Sequence, residues 1–409
     1  MNVSREAQVA VEHVNALTRR WLATVGTDAR VLSGLGVWPL LAFLADGADD
    51  ETRQDLAAAL GVPAEEASQA ARELLAVVQR TPAIRTALGL WTRGEVRVNR
   101  DWLGRLPADV HGELSGVPAD DQRRLDAWAS ERTEGLIPRM PIEVTPDTML
   151  VLASALLVTL TWREAFSARD TPSEGPWADA GGRIPILRRV TADLGALGVA
   201  DTPIGTVTTL RVESNEDVDV YLVLGPVGGS PSEVLAVGSD LVGAAPRHPM
   251  TRGAELPVGD GGDAADAGDA GPGVRVEMVE SFQRQDSLEV TTVPFRVEAR
   301  YDLLDHAALF GLQRAADGSS GHFPGVSDYP LFVKQAVQDA VAEFSATGFR
   351  AAAVTAIGLF GAGVPRERYR VRHASVVFDR PFGYYAVHRG SGLILVAGWV
   401  SKPLRAGRG

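Results

Sequence analysis

The sequence predicts an α+β fold, with helices gathered in the first third of the chain and strands in the remainder. Three observations carry that prediction. Apolar residues recur at helical spacing through about residue 79, and they alternate or run continuously from residue 150 onward. No βαβ alternation and no Pro/Ser linker divides the 409 residues. One domain spanning 1–409 is therefore expected, because 45% hydrophobic residues suffice to bury a large core.

The elements follow in order. Val11, Val14, Leu17, Trp21, Leu22 and Val25 share one helical face, and Gly26 stands past its end. A second apolar helix is expected over about 34–45. Asp49 to Leu60 forms a polar-faced helix stopped by Gly61-Val62-Pro63, and 64–79 is helical by period. Residues 85–100 read as strand and 102–113 as a short helix. Asp121–Arg132 places Leu125, Trp128 and Ala129 on one helical face and ends at Gly135. Leu150–Trp162 is almost continuously apolar, the pattern of a strand covered on both faces. Thr206–Leu224 reads as two strands around the turn Ser214-Asn215-Glu216-Asp217. Leu288–Ala299 alternates, with Pro294 marking a bulge or an edge. Residues 302–312 and 328–342 read as helical or mixed, and 369–400 as strand-rich.

Composition excludes several classes of function. A net charge of -12 argues against nucleic acid or an anionic membrane surface as partner. With no cysteine, disulfides, thiol catalysis and Cys-ligated zinc are excluded. The first residues carry no basic segment followed by an apolar one, and Leu150–Leu160 is too short to cross a bilayer, so a soluble cytoplasmic protein is expected. Arginine supplies almost all the basic residues, with only Lys334 and Lys402 beside it, which fits a GC-rich bacterial genome. The seven histidines are scattered, and HExxH, GxSxG, Walker A and strand-associated GxGxxG motifs are all missing. No metal or cofactor is expected. Gly259–Gly273 is Gly, Ala and Asp apart from Pro272, with aspartates at 260, 263, 266 and 269. A weak calcium site and a solvated, disordered loop are the two readings, and the loop is preferred because the segment has no apolar area to bury.

The tail carries the most specific pattern. Gly348-Phe349-Arg350-Ala351-Ala352-Ala353-Val354-Thr355-Ala356 leads through a Gly-rich stretch to Pro365, then Val376-Val377-Phe378-Asp379-Arg380-Pro381-Phe382 and Ile394 to Pro403. With Leu125–Ile137, Val151–Leu156 followed by Trp162 and Phe166, Thr292–Glu298 followed by Tyr301-Asp302-Leu303, and Phe323-Pro324-Gly325-Val326-Ser327, it resembles the serpins, the loop-inserting serine-protease inhibitors. The resemblance implies a multi-helix domain with three β-sheets and an exposed reactive-centre loop, here 348–375. It implies a suicide substrate rather than an enzyme: a serine-type protease attacks the loop, and the cut loop inserts into the main sheet. A monomer is the expected state.

Family spacing starts the hinge at Gly348 and places the nominal scissile bond at Ala362-Gly363, with Leu359 and Phe360 as alternatives that suit chymotrypsin-, elastase- or subtilisin-like enzymes. Arg366 and Arg368 suit a trypsin-like enzyme but follow Pro365. In an inserted hinge Phe349, Ala351, Ala353 and Thr355 point inward, with Arg350 and Ala352 between them. Phe349 stands where the family prefers Thr or Ser, and Arg350 where it prefers Glu. Where the sheet opens, Ser33 is kept, Gly36 lacks the family's hydroxyl, and Ser154 and Gln338 replace Asn and His. These departures leave a second reading open, a non-inhibitory member that binds a peptide, small molecule or protein. A third, an enzyme evolved on the scaffold, has no motif behind it.

Overall fold

The computed structural model describes every residue except 1–3, 141, 174–176, 179–181, 243–245, 260–268, 350–367 and 406–409. Eight α-helices are present among the described residues. They are α1 (Arg5–Leu22), α2 (Trp38–Gly47), α3 (Asp50–Leu60), α4 (Ala64–Gln79), α5 (Arg100–Leu103), α6 (Pro118–Arg132), α7 (Pro231–Leu241) and α8 (Ala307–Phe310). Strands β1 (Arg30–Leu32), β2 (Ile84–Arg93) and β3 (His111–Leu114) lie among the first six helices. Next come β4 (Leu150–Val158), β5 (Leu160–Thr161), β6 (Ser167–Pro172) and β7 (Arg183–Thr191). The run β8 (Leu197–Thr202), β9 (Gly205–Val212) and β10 (Val218–Leu224) precedes α7. After α7 come β11 (Thr251–Arg252), β12 (Asp269–Gly271), β13 (Val274–Ser281), β14 (Ser287–Thr292) and β15 (Phe295–Asp302). The last fifth adds β16 (Gln335–Phe344), β17 (Gly348–Phe349), β18 (Tyr369–Val377), β19 (Phe382–His388) and β20 (Ile394–Val400).

Three sheets result. The main sheet has the order β3-β2-β4-β16-β17-β5, with β15 also on β16. The second runs β1-β20-β19-β10-β9-β8-β11, and the third β12-β13-β18-β14-β7-β6. Local chemistry explains the helix ends. Ser4 and Asp49 cap α1 and α3 through their side-chain oxygens. Gly61 closes α3 at φ 76°, a left-handed conformation that glycine adopts without strain. The core lies between the main and second sheets, where Phe295 meets Tyr384 and Phe382 at 4.7 and 6.0 Å, and it extends to α1 and α8, where Trp21 meets Tyr301 and Phe310 edge-on at 4.9 and 5.0 Å. A smaller cluster covers the opposite face of the main sheet, where Leu125 and Ala129 of α6 pack with Ala87, Val151, Ala153 and Ala155. No described helix is long and apolar enough to cross a membrane.

Several expectations change. Residues 102–113 are not one helix: α5 stops at Leu103, and 111–114 pair in parallel with β2. Residues 85–100 hold strand only to Arg93, where a turn begins. The 34–45 helix starts as a 3-10 turn at Gly34–Gly36. Thr159 divides the long apolar strand by donating its N–H to Ala83 rather than to the ladder. Residues 335–344 are strand, because Ala336, Ala340, Ala342 and Phe344 alternate on the core face. Pro294 is the point where the chain leaves the third sheet for the main one. The segment expected to be unstructured over 259–273 ends in a strand, with Asp269–Gly271 paired to β13; residues 260–268 lie outside the described residues. The expected loop 348–375 is likewise ordered at both ends, as β17 and as β18 from Tyr369.

Candidate functional site

β4 and β16 run parallel at the centre of the main sheet, paired from Gln335↔Val151 to Ala340↔Leu156. Beyond that rung they separate, and β17 lies in the opening. Phe349 pairs antiparallel with Phe344 on one side and with Leu160 on the other. Directly opposed residues share a face of a sheet, so these three side chains lie together on the core face. Phe349 is 2% exposed. Of the expected hinge residues, Gly348 and Phe349 are therefore strand. Arg350, Ala351, Ala352, Ala353 and Thr355 lie outside the described residues, as do Leu359, Phe360, Ala362 and Gly363.

The turn between Phe344 and Phe349 is held from outside. Trp162 donates its indole N–H to the Ser345 carbonyl at 2.9 Å and its backbone N–H to Thr347 at 3.0 Å. The Phe166 N–H reaches the Ala346 carbonyl at 2.8 Å, so one short segment holds three consecutive carbonyls. Ser345 closes the turn through its N–H and hydroxyl, both donated to the Gly348 carbonyl at 2.9 Å. Phe344 anchors the base, with ring centroids 4.8 Å from Trp162, 5.7 Å from Phe166 and 5.3 Å from Phe295. The Trp-x-x-x-Phe spacing is visible in the sequence, but its task is not, because the partners lie about 180 residues away.

Lower in the same slot the four expected sheet-opening residues come together. Gln338 sits opposite Ser154, and its amide N–H meets Ser154 Oγ at 3.4 Å. The same amide accepts from Ser33 N–H at 2.9 Å and donates to the Ser33 carbonyl at 2.8 Å. Ser33 Oγ donates to the Leu395 carbonyl at 2.6 Å and accepts from Gly36 N–H at 3.3 Å. Ser33, Ser154 and Gln338 are all buried. A Cβ on Gly36 would lie 2.6 Å from Gln338 Nε2 and 3.0 Å from Ser154 Oγ. The small residue and the long amide therefore fit together: Gln338 occupies the space that a side chain at position 36 would need. Gly36→Ser is expected to destabilise the protein by about 1–3 kcal/mol through overpacking, and Gln338→Ala in the same chain should remove much of that penalty. Urea midpoints of the two single variants and the double variant measure the coupling.

Asp339, the next residue of β16, faces the other side of the sheet and is 5% exposed. Its carboxylate meets Arg300 Nε at 3.2 Å. Burial pushes its pKa above the ordinary Asp value of 3.8, against the pull of Arg300. A raised native pKa means that the folded chain holds this proton more tightly than the unfolded one. Stability from this group is present at low pH and is lost as pH rises from about 3.8 through the native value. Asp339→Asn is expected to flatten that part of the pH–stability curve, which chemical denaturation across the acid range measures.

The far end of the segment is fastened differently. β18 pairs antiparallel with β13 from Val274↔Val376 to Ser281↔Tyr369, and in parallel with β14 from Ser287↔His373 to Thr291↔Val377. Arg368 meets Glu280 at 2.7 Å, and Arg372 donates its backbone N–H to Asp286 at 2.8 Å. A two-residue strand thus precedes residues 350–367, and a nine-residue strand paired on both edges follows them.

Comparison with known proteins bears on this arrangement. The family model for Serpin (serine protease inhibitor) matches residues 7–186 and 275–403. A serpin-like protein of Thermococcus kodakarensis is 23% identical, over 89% of this chain and 78% of its own. Putative serpin-Z12 of Oryza sativa subsp. japonica is 28% identical, over 94% and 88%. The leukocyte elastase inhibitor of Bos taurus is 25% identical, over 70% and 68%. Among solved structures, human thyroxine-binding globulin superposes with a TM-score of 0.73 at 15% identity, covering 98% of this chain and all of its own. Native protease nexin-1 with heparin gives 0.69 at 16%, covering 98% and 100%. The thermophilic serpin tengpin in its native state gives 0.71 at 14%, covering 98% and 95%.

Proposed function

Because the chain belongs to the serpin family, we propose that it inhibits a serine-type endopeptidase as a suicide substrate, with 348–375 as the reactive-centre loop region. The protease supplies the nucleophile and the general base; its serine attacks a loop carbonyl and forms an acyl-enzyme. The inhibitor supplies a strand that inserts faster than water can hydrolyse the acyl bond. The nominal cut remains Ala362-Gly363, with Leu359 and Phe360 as alternatives.

One observation carries this reading: two registers agree on where an inserted loop would go. Continuing the Phe349↔Phe344 pairing down β16 brings Ala351 beside Ala342, Ala353 beside Ala340 and Thr355 beside Gln338. Continuing the Phe349↔Leu160 pairing down β4 brings Ala353 beside Leu156 and Thr355 beside Ser154. Ala340↔Leu156 and Gln338↔Ser154 are already partners across the closed sheet. One new strand therefore fits both neighbours without a slip. Its inward residues below Phe349 are small, and the Thr355 hydroxyl arrives where the Gln338–Ser154 contact must open. β18 stays in its own sheet while the part before the cut moves, because only a two-residue strand holds that end.

Incubation with chymotrypsin-, elastase- and subtilisin-type proteases is expected to give a covalent band that survives denaturant and contains both proteins. Quantitative loop cleavage with fully active protease would sink the inhibitor reading. That outcome would favour a non-inhibitory binding protein, the reading that the departures at Phe349 and Arg350 from the family's hinge pattern left open.

A further inference from the structure

We propose that β12 and β13 form a clamp on the outer edge of β18, and that this clamp keeps the uncut segment out of the main sheet. The proposal rests on the insertion reading and adds the element that sets its timing. About ten residues carried down the slot from Phe349 would travel about 33 Å, and the roughly nine left before Tyr369 span at most about 32 Å when fully extended. Without a cut that return path has no slack, so the segment enters only if β18 gives up its place in the third sheet. What holds β18 therefore decides whether cleavage is needed.

Two ladders hold it. On the inner edge β14 pairs in parallel over five rungs, from Ser287↔His373 to Thr291↔Val377. On the outer edge β13 pairs antiparallel over eight rungs, and it alone pairs with residues 369–372, the end next to the segment. Antiparallel pairing is also slightly the more stable per residue. The clamp is itself anchored. Val377 donates its N–H to the Gly273 carbonyl at 2.9 Å, and Thr208 of β9 donates its hydroxyl to the Pro272 carbonyl at 2.9 Å. Val274 and Val276 are buried with Ala374 and Val376. Arg372 Nη1 donates to the Leu256 carbonyl at 2.6 Å, and Gly259 N–H to the Val276 carbonyl at 2.9 Å, so the segment before β12 backs the hairpin. Residues 187–274 lie outside the family match, and β12 and the Pro272-Gly273 turn are among them. The base of the clamp is therefore this chain's own.

The direction of each N–H follows from these bonds. Gly273 turns its carbonyl to Val377 and Val276 turns its own to Gly259, so odd-numbered residues of β13 face β18 and even-numbered ones face away. Glu277 thus points its N–H at β18 while its side chain is exposed. Met278 points its N–H at the open edge, which no described strand covers beyond the short pairing with β12. On β18, Arg372 donates its N–H to Asp286, and Phe378 just beyond the strand donates to Thr291, so even-numbered residues face β14.

Proline at these two positions tests the clamp, because proline removes an N–H from a ladder but is tolerated where that N–H faces solvent. Uncut chains are held a few degrees below their unfolding midpoints, and the midpoint and the intactness of the chain are followed with time. Glu277→Pro is expected to pass at least tenfold faster than the parent chain to a state that melts like the nicked protein. Met278→Pro should keep the parent rate. Gly273→Ala, whose Cβ would lie 2.4 Å from the Val377 carbonyl, should act several-fold in the same direction as Glu277→Pro with every ladder N–H retained. Hydrogen exchange at the Ala374 and Val376 amides, on the edge facing β14, should quicken at least tenfold in Glu277→Pro. Equal rates in the two proline variants would overturn the proposal. So would the absence of conversion in Glu277→Pro and Gly273→Ala while the nicked parent chain gains stability. A nicked parent chain that gains nothing would overturn the insertion reading first, and the exchange result then judges the clamp by itself.

Discussion

Cutting the chain between residues 350 and 367 is expected to raise its unfolding midpoint by about 10 °C or more. On the inhibitor reading, the uncut main sheet lacks a strand that its own sequence can supply. Inserted from Phe349 downward, about ten residues would lie between β4 and β16 and make about twenty ladder hydrogen bonds, of which about six replace those lost when the Gln335–Ala340 rungs open, each net bond contributing about 1 kcal/mol. Burial of alanine, valine and threonine side chains offsets the ordering of about ten residues at 1–2 kcal/mol each. A chain of 409 residues unfolds with an entropy near 0.9 kcal/mol/K, so each kcal/mol moves the midpoint by about 1 °C. The barrier to reaching this state uncut is that the segment is tethered at both ends, and β18 is paired on both edges. On the inhibitor reading the fold is held kinetically away from a more stable arrangement. Calorimetry before and after nicking measures the difference; an unchanged midpoint would mean that no such strand enters.

The second large effect concerns Phe349. Phe349→Ala is expected to destabilise the uncut protein by about 3–5 kcal/mol, the usual effect of emptying a buried phenylalanine site. On local reasoning a bulky residue at the first inward step should slow insertion. The structure seats that side chain before any cleavage, opposite Phe344 and Leu160. Its packing belongs to the resting state, so replacing Phe349 with Thr should alter resting stability more than the rate of later insertion. Urea midpoints and stopped-flow insertion rates separate the two effects. A loss below about 1 kcal/mol for Phe349→Ala would show that this seat does not hold the hinge.

How much was legible depended on where the deciding partner lay. The end of α3 and the turn at Ser214–Asp217 were readable because their signals are local: Gly61 in a left-handed conformation, or a polar turn between two apolar runs; α1, by contrast, stops at Leu22, short of the expected end at Gly26. Residues 335–344 were not, since Ala336, Ala340 and Ala342 suit a helix as well as a strand. Pairing with β4 and β15, distant in sequence, decides them. Gly36 and Gln338 read as two separate losses from a family pattern. Only the structure shows that they adjoin, with Gln338 in the space a side chain at 36 would need.

By itself the sequence determined the α+β class, the family resemblance, the absence of thiol chemistry, and the small alternating residues after Phe349, because each depends on composition or on short-range order. Only the tertiary structure decided that the slot between β4 and β16 is closed at Gln338–Ser154 and open at Phe349, and that Trp162 and Phe166 hold the turn. Each of those facts is a distance between atoms far apart in the chain, and neither periodicity nor propensity encodes such distances.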